Sequence, residues 1–149
     1  MSTSSRFVVG VHILAVLETE AGGPVTSEYI AGSVNTNPGV IRRLLSMLGR
    51  AGLVTSQLGT GGGALLAKPA AQIRLVDVYR AVESGDLFAL HHSPPNPRCP
   101  VGHHIQEALS AVLRRAERGL ERELGQVTLA DVVQSVRTRA GRPAAAAGG

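Results

Sequence analysis

The chain has one cysteine in 149 residues, no tryptophan, and only two tyrosines and two phenylalanines. With Cys99 alone no disulfide can form within the chain, and the cysteine usage gives no support to an oxidising compartment. Phe7, Tyr29, Tyr79 and Phe88 leave little for the base stacking on which recognition of RNA or single strands depends. A long apolar run is missing as well. The best of them, Phe7 to Leu17, is too short to cross a bilayer, is interrupted by His12 and is followed by Glu18 and Glu20. Arg6 before it and Ala21-Gly22-Gly23 after it imitate a secretion signal, but the interruptions fit a first helix, capped by Ser4 or Ser5, that is buried on nearly every side. The expectation is a cytoplasmic protein with no membrane partner.

What is present is ordinary for a globular domain: 44% hydrophobic and 17% charged residues, in a length that suits one compact core and a projecting element. A net charge of +4 and a pI near 10.2 favour a polyanionic partner.

The stretch from Pro24 to Ala67 carries the most information. Thr26 or Ser27 offers an N-cap for a short helix through Tyr29, Ile30 and Ala31. Val34-Asn35-Thr36 reads as a turn, with Asn35 suited to the left-handed conformation that glycine usually takes. Asn37 caps the next helix and Pro38 stands at its first position, where a missing N–H costs nothing. Val40, Ile41, Leu44, Leu45 and Leu48 form an apolar stripe at helical spacing, and Arg42, Arg43, Ser46 and Arg50 fall off it. Leu53-Val54-Thr55 and Ala64-Leu65-Leu66 read as two strands joined by Gly59-Thr60-Gly61-Gly62-Gly63. This is the layout of a winged helix-turn-helix: mainly α, with a small β-hairpin wing.

Arginines on the wet face of a helix are ordinarily solvating charge. Here the capped helix follows a short helix and precedes a Gly-rich hairpin, an order that sends its N-terminal end into a major groove while the hairpin meets the neighbouring phosphates. The expected set facing double-stranded DNA is Arg6, Thr26, Ser27, Thr36, Asn37, Gly39, Val40, Arg42, Arg43 and Arg50, with Thr60, Gly61 and Gly62 at the wing. Arg43 and Arg50 are expected as phosphate contacts, and the wing glycines offer backbone N–H groups to phosphate. The glycine run is not a nucleotide loop, because no Gly-Lys-Ser/Thr follows it and the flanking helix is on the wrong side.

From His104 to Leu124 the apolar residues Ile105, Leu109, Val112, Leu113, Ala116, Leu120 and Leu124 fall three or four apart, with Arg114, Glu117, Arg118, Glu121 and Arg122 filling much of the rest. Roughly 20 helical residues extend about 30 Å, more than one small winged domain can cover, so these seven are expected to bury against a second copy of the chain. Leu129 to Val136 reads as a closing helix that packs back toward the winged domain, with Asp131 and Gln134 facing water. The expected organisation is a DNA-binding domain over 1–85, a regulatory loop over 86–102, a dimerisation helix and closing helix over 103–140, and a low-complexity, disordered tail over 141–149.

Segments that this order leads to resemble a known family. VHILAVL, PVTSEYIA, RRLLSMLGRAGLV and GTGGGALLAKPAAQIRLVDVYRAVE, between Val11 and Glu83, are similar to the Rrf-two family of bacterial winged-helix regulators, and NPRCPVGHHIQEAL, from Asn96 to Leu109, is similar to its YwnA-like branch. The resemblance implies a homodimer on a near-palindromic operator, one winged domain per half-site, acting as a repressor. Several members hold an iron–sulfur cluster on three cysteines in the loop before the long helix, with five residues between successive cysteines. Here that spacing from Cys99 falls on Ser93, Leu87, Ile105 and Ala111, so no cofactor is expected. The wing also departs from the family, having Gly61 and Ala64 where many members have a basic residue and an aromatic.

Cys99 has a reactive setting. Arg98 precedes it and Pro100 follows at the start of the long helix, where a positive side chain and a helix N-terminus favour a thiolate; redox sensing is the expectation, an inert packed thiol the alternative. His91, His92, His103 and His104 bracket it, which leaves a metal- or small-ligand-responsive regulator as a second reading. Adjacent histidines on a helix cannot point the same way and no Asp or Glu lies between Leu87 and Gln106, so no metal site is expected. Nor is a catalytic residue expected, because nothing orients the cysteine or supplies an oxyanion site. A protein-interaction module without specific DNA binding is the remaining alternative.

Overall fold

In the computed structural model, which describes residues 4–141, α1 (Arg6–Thr19) starts where Ser4 Oγ accepts the Arg6 N–H at 3.2 Å. That satisfies one of the backbone donors that a helix start leaves orphaned; Ser5, at the N-cap position, makes no side-chain capping bond. Ile13, Leu14, Val16 and Leu17 are buried. His12 faces α2 (Ser27–Val34), its Nε2 2.9 Å from Ser33 Oγ, which accounts for an imidazole in an apolar helix. The expectation of burial on nearly every side is corrected at Val8, which is 68% exposed and borders an open apolar groove between α1 and the last helix.

α3 (Pro38–Arg50) turns Ile41, Leu44 and Leu48 into the core, each burial contributing about 1.5–3 kcal/mol. β1 (Val54–Gln57) and β2 (Gly63–Leu66) pair antiparallel, with Val54 opposite Leu66 and Gln57 opposite Gly63. Leu53, expected as a strand residue, is instead packed inside at the strand's approach, where its carbonyl accepts the Ala67 N–H at 3.0 Å. Val25 forms a one-residue bridge to Ala64 through two hydrogen bonds of 3.0 and 2.8 Å, fastening the hairpin to the α1–α2 connection. A 3₁₀ turn (Ala70–Gln72) leads into α4 (Leu75–Val82), which packs on α1: Phe7 and Tyr79 meet edge to face at 5.8 Å, and a Cβ at Gly10 would come within 3.2 Å of Val78.

α5 (Pro100–Leu124) has 25 residues and buries none of them. It begins three residues before the expected boundary at 103, because Cys99 stands at the N-cap and Pro100 occupies the first turn, its fixed φ already helical. The chain returns through Gly125 to α6 (Leu129–Ala140), whose start is a reciprocal capping box: Thr128 Oγ1 accepts the Asp131 N–H at 3.1 Å and Asp131 Oδ2 accepts the Thr128 N–H at 2.9 Å. Leu75 donates to the Val127 carbonyl and Leu129 to that of Ile73, at 2.9 and 2.8 Å. Leu129 and Val133 thereby join the same core as α1 and α3, while Asp131 and Gln134 face water. Of the tail expected over 141–149, residues 142–149 lie outside the described residues.

Candidate nucleic-acid interface

The two helices of the motif are placed by side-chain caps. Thr26 Oγ1 accepts the Tyr29 N–H at 3.1 Å and starts α2; Asn37 Oδ1 accepts the Val40 N–H at 3.1 Å and starts α3. Between them Asn35 adopts the left-handed conformation, φ 64°, and the Thr36 N–H reaches back to the Ala31 carbonyl at 3.0 Å. Helix, left-handed residue and capped helix follow one another with only Asn35, Thr36 and Asn37 between, so the angle between α2 and α3 is set by backbone hydrogen bonds rather than by a long loop. Gly39 has a structural reason: a Cβ there would lie 3.0 Å from Asn37 Oδ1 and press on the cap. With Oδ1 engaged by the helix, the Asn37 amide keeps its N–H₂ group as a donor for a base or phosphate.

Beyond the buried stripe, α3 presents Arg42, Arg43, Ser46 and Arg50 to solvent, with Val40 and Leu45 half-buried. Arg42 Nη2 lies 2.8 Å from Glu28 Oε1, both side chains exposed; Arg43 and Arg50 form no ion pair among the described residues. Ser27 and Arg42 share a shallow hollow with Ser46, Thr55 and Ser56. Thr55 and Ser56 were not among the expected contacts; strand β1 is exposed at every residue after Val54, so no alternation singled out its hydroxyls.

The wing is shaped by glycine. Gly59 and Gly61 have φ of 89° and 78°, and a Cβ at Gly62 would strike the Gln57 carbonyl. Thr60 and Gly61 are exposed at the tip. Gly62 corrects the expectation of free backbone donors, because its N–H is bonded to the Gly59 carbonyl at 3.0 Å and closes the turn. Leu58, beside the turn, is 95% exposed and was not among the expected contacts; an apolar residue next to a glycine turn was the available signal. Arg6 is not brought to this surface by any contact of its own: its partners are Ser4 and Glu83, the latter at 3.4 Å, on neither α3 nor the wing.

Cys99 is exposed at the α5 N-terminus, its N–H donated to the Asn96 carbonyl at 3.2 Å. A Cβ at Gly102 would strike the same Asn96 backbone, so the loop lies tightly against the first turn. His103 and His104 stack edge to face with ring centres 4.5 Å apart, and His91 Nδ1 is 3.2 Å from Gln106 Nε2. Among the described residues no three His, Cys, Asp or Glu side chains converge on a point where a metal ion could sit.

A capped helix-turn-helix with arginines on its outer face and a two-stranded wing beside it defines a winged helix-turn-helix DNA-binding regulator of transcription rather than an enzyme. Residues 3–135 match the Rrf2 family model, described as an iron-dependent transcriptional regulator, and the chain belongs to that family. It is 44% identical over 131 residues to YwnA of Bacillus subtilis, named as a candidate HTH-type transcriptional regulator, covering 87% of this chain and 96% of YwnA. A crystal structure described as a candidate DNA binding protein is 42% identical, with a TM-score of 0.69 over 86% of this chain and 98% of its own. A transcriptional regulator from Lactobacillus plantarum, also assigned as a candidate, is 27% identical with a TM-score of 0.76, covering 89% and 90% of the two chains. The iron of the family description does not fit the donors here: Cys99 is the only thiol, and Leu87, Ser93, Ile105 and Ala111 stand where the spacing would put others. No described helix is long and apolar enough to cross a membrane.

Proposed function

We propose that the protein is a homodimeric repressor, working in the cytoplasm on a near-palindromic operator, with one winged domain in each half-site. The observation that carries this reading is α5: 25 residues, about 37 Å of helix, without one buried side chain, and with Leu109 and Val112 42% and 54% exposed on its apolar stripe. Ile105, Leu113, Ala116, Leu120 and Leu124 continue that stripe, and an identical stripe on a two-fold-related copy is its natural complement. Each α3 then enters a major groove with Thr36, Asn37, Val40 and Arg42 toward base edges, Arg43 and Arg50 toward phosphates, and Thr26, Ser27, Thr60 and Gly61 against the flanking backbone.

Cys99 supplies the signal in this reading. It is exposed beside the dimer helix, and peroxide would transfer one oxygen to its sulfur with release of water, giving a sulfenic acid; a second Cys99 across the dimer would then condense with it to a disulfide, releasing a second water. The test is light scattering and fluorescence anisotropy on promoter DNA, reduced and peroxide-treated. A dimer that binds tightly when reduced, weakens on oxidation, and keeps its affinity under peroxide as Cys99→Ser supports the whole reading. A Leu113→Glu protein that still scatters as a dimer overturns the assigned seam, and binding indifferent to peroxide removes Cys99 from the mechanism.

A further inference from the structure

Four arginines converge where the winged domain meets the long helix. Arg74 and Arg80, at the start and on the face of α4, and Arg118 and Arg122, on α5, line one open cavity of about 420 Å³ with Glu121 as its single carboxylate. Glu121 is already engaged: its two carboxylate oxygens accept from Arg80 Nε at 3.4 Å and Nη2 at 3.2 Å. Arg74 has Asp77 at 3.7 Å. Arg118 and Arg122 form no ion pair among the described residues, although they stand one turn apart on the same helix and repel each other. Gln126 is an uncharged residue of the same lining.

Like-charged guanidinium groups facing one hollow are stable together only with solvent and counterions between them, and their planar forks match the oxygens of phosphate better than those of any neutral ligand. Backbone dipoles do not decide the sign here. The hollow lies between the N-terminus of α4 and the C-terminus of α5, whose partial charges of about half a unit are opposite and offset each other. The full charges on the arginines are left in control.

We propose that this cavity is an effector site for a compact phosphate-bearing anion. A concave hollow of this size suits a small ligand better than a DNA backbone, and none of its residues lies on α2, α3 or the wing. Binding there would draw Arg80 away from Glu121, loosening the side-chain link between α4 and α5. That the anion then alters DNA affinity rests on the regulatory reading above; that it binds does not.

Titration calorimetry with pyrophosphate and with inorganic phosphate, at ionic strength matched with potassium chloride and without DNA, tests the binding. Saturable uptake is expected, weakened about tenfold or more in Arg118→Ala/Arg122→Ala, whose side chains form no ion pair among the described residues, and tightened in Glu121→Gln, which frees Arg80. Heat that merely follows ionic strength, or equal binding in the double variant, overturns the proposal. So does a double variant whose wild-type parent binds no phosphate but which itself loses DNA affinity or falls apart to monomers, for those arginines would then serve DNA or the partner's carboxylates. Anisotropy on promoter DNA with pyrophosphate present completes the test: a shift in affinity abolished by the double variant is expected, and saturable binding without such a shift refutes the effector role alone.

Discussion

Arg42 is held 2.8 Å from Glu28, while its neighbour Arg43 on the same helix has no ion-pair partner among the described residues. Adjacent residues on a helix point about 100° apart, so in the free protein one arginine reaches Glu28 on α2 and has that partner to give up on meeting DNA, while the other is already unpaired. Arg43→Ala should weaken specific and random DNA together and lower the slope of log affinity against log salt by about one. Arg42→Ala should cost less, since Glu28 already offsets its charge, and Glu28→Gln should raise affinity. Anisotropy over a salt series reads all three; an Arg43→Ala protein with an unchanged slope would place that side chain away from phosphate.

Asn37 caps α3 and, in the proposed reading, also meets DNA, and two substitutions separate these roles. Asn37→Ala removes the acceptor for the Val40 N–H, and unfolding in urea should show a loss of about 1 kcal/mol. Asn37→Asp keeps the acceptor and the stability but replaces an amide donor by a carboxylate, so DNA affinity should collapse without any change in the urea midpoint. An aspartate variant that binds like the wild type would show that residue 37 only caps.

In the wing, Gly62→Ala forces a methyl into the Gln57 carbonyl and must open the turn. Gly61→Ala places a side chain at φ 78°, a conformation that costs about 1–2 kcal/mol but leaves space around it. Hydrogen exchange of the amides between Val54 and Leu66 should therefore accelerate strongly for Gly62→Ala and mildly for Gly61→Ala. Base preference at positions read by α3 should survive in both while overall affinity falls.

The two tyrosines give a titration that checks the α1–α2 junction. Tyr29 donates its hydroxyl proton to Glu20 at 2.7 Å, and that hydrogen bond, followed by the carboxylate's charge, raises its pKa above the ordinary 10.0. Tyr79 is raised chiefly by burial, then by Glu83, Glu117 and Glu121. A raised phenol binds its proton more tightly in the folded state, so stability from Tyr79 is complete below pH 10.0 and lost as pH rises through the folded value. Phenolate absorbance should appear late for both rings, and Glu20→Gln should bring the Tyr29 step down while leaving Tyr79 unmoved.

The elements that were legible beforehand depend on neighbours in sequence. The α3 stripe, the Asn37 cap, Pro38 at the first turn and the left-handed Asn35 are all decided within a few residues, and each stands in the structure as read. What escaped depends on distant partners. His12 looked like an interruption because Ser33 is 21 residues away, and Arg6 looked free because Glu83 is 77 away. Arg42 and Glu28 are 14 apart on different helices, a spacing no periodicity marks. At the wing, glycines announced a turn but not which of their amide protons the turn would use.

The bond pair between Val25 and Ala64 also has a mechanical meaning. It clamps one side of the hairpin to the segment joining the first two helices, so the wing cannot shift there without breaking both bonds. Gly63 lets the clamp close, since any side chain there would collide with the Val25 backbone and pry it apart. A single methyl group at that position would leave α3 untouched and yet part the wing from the segment that anchors it.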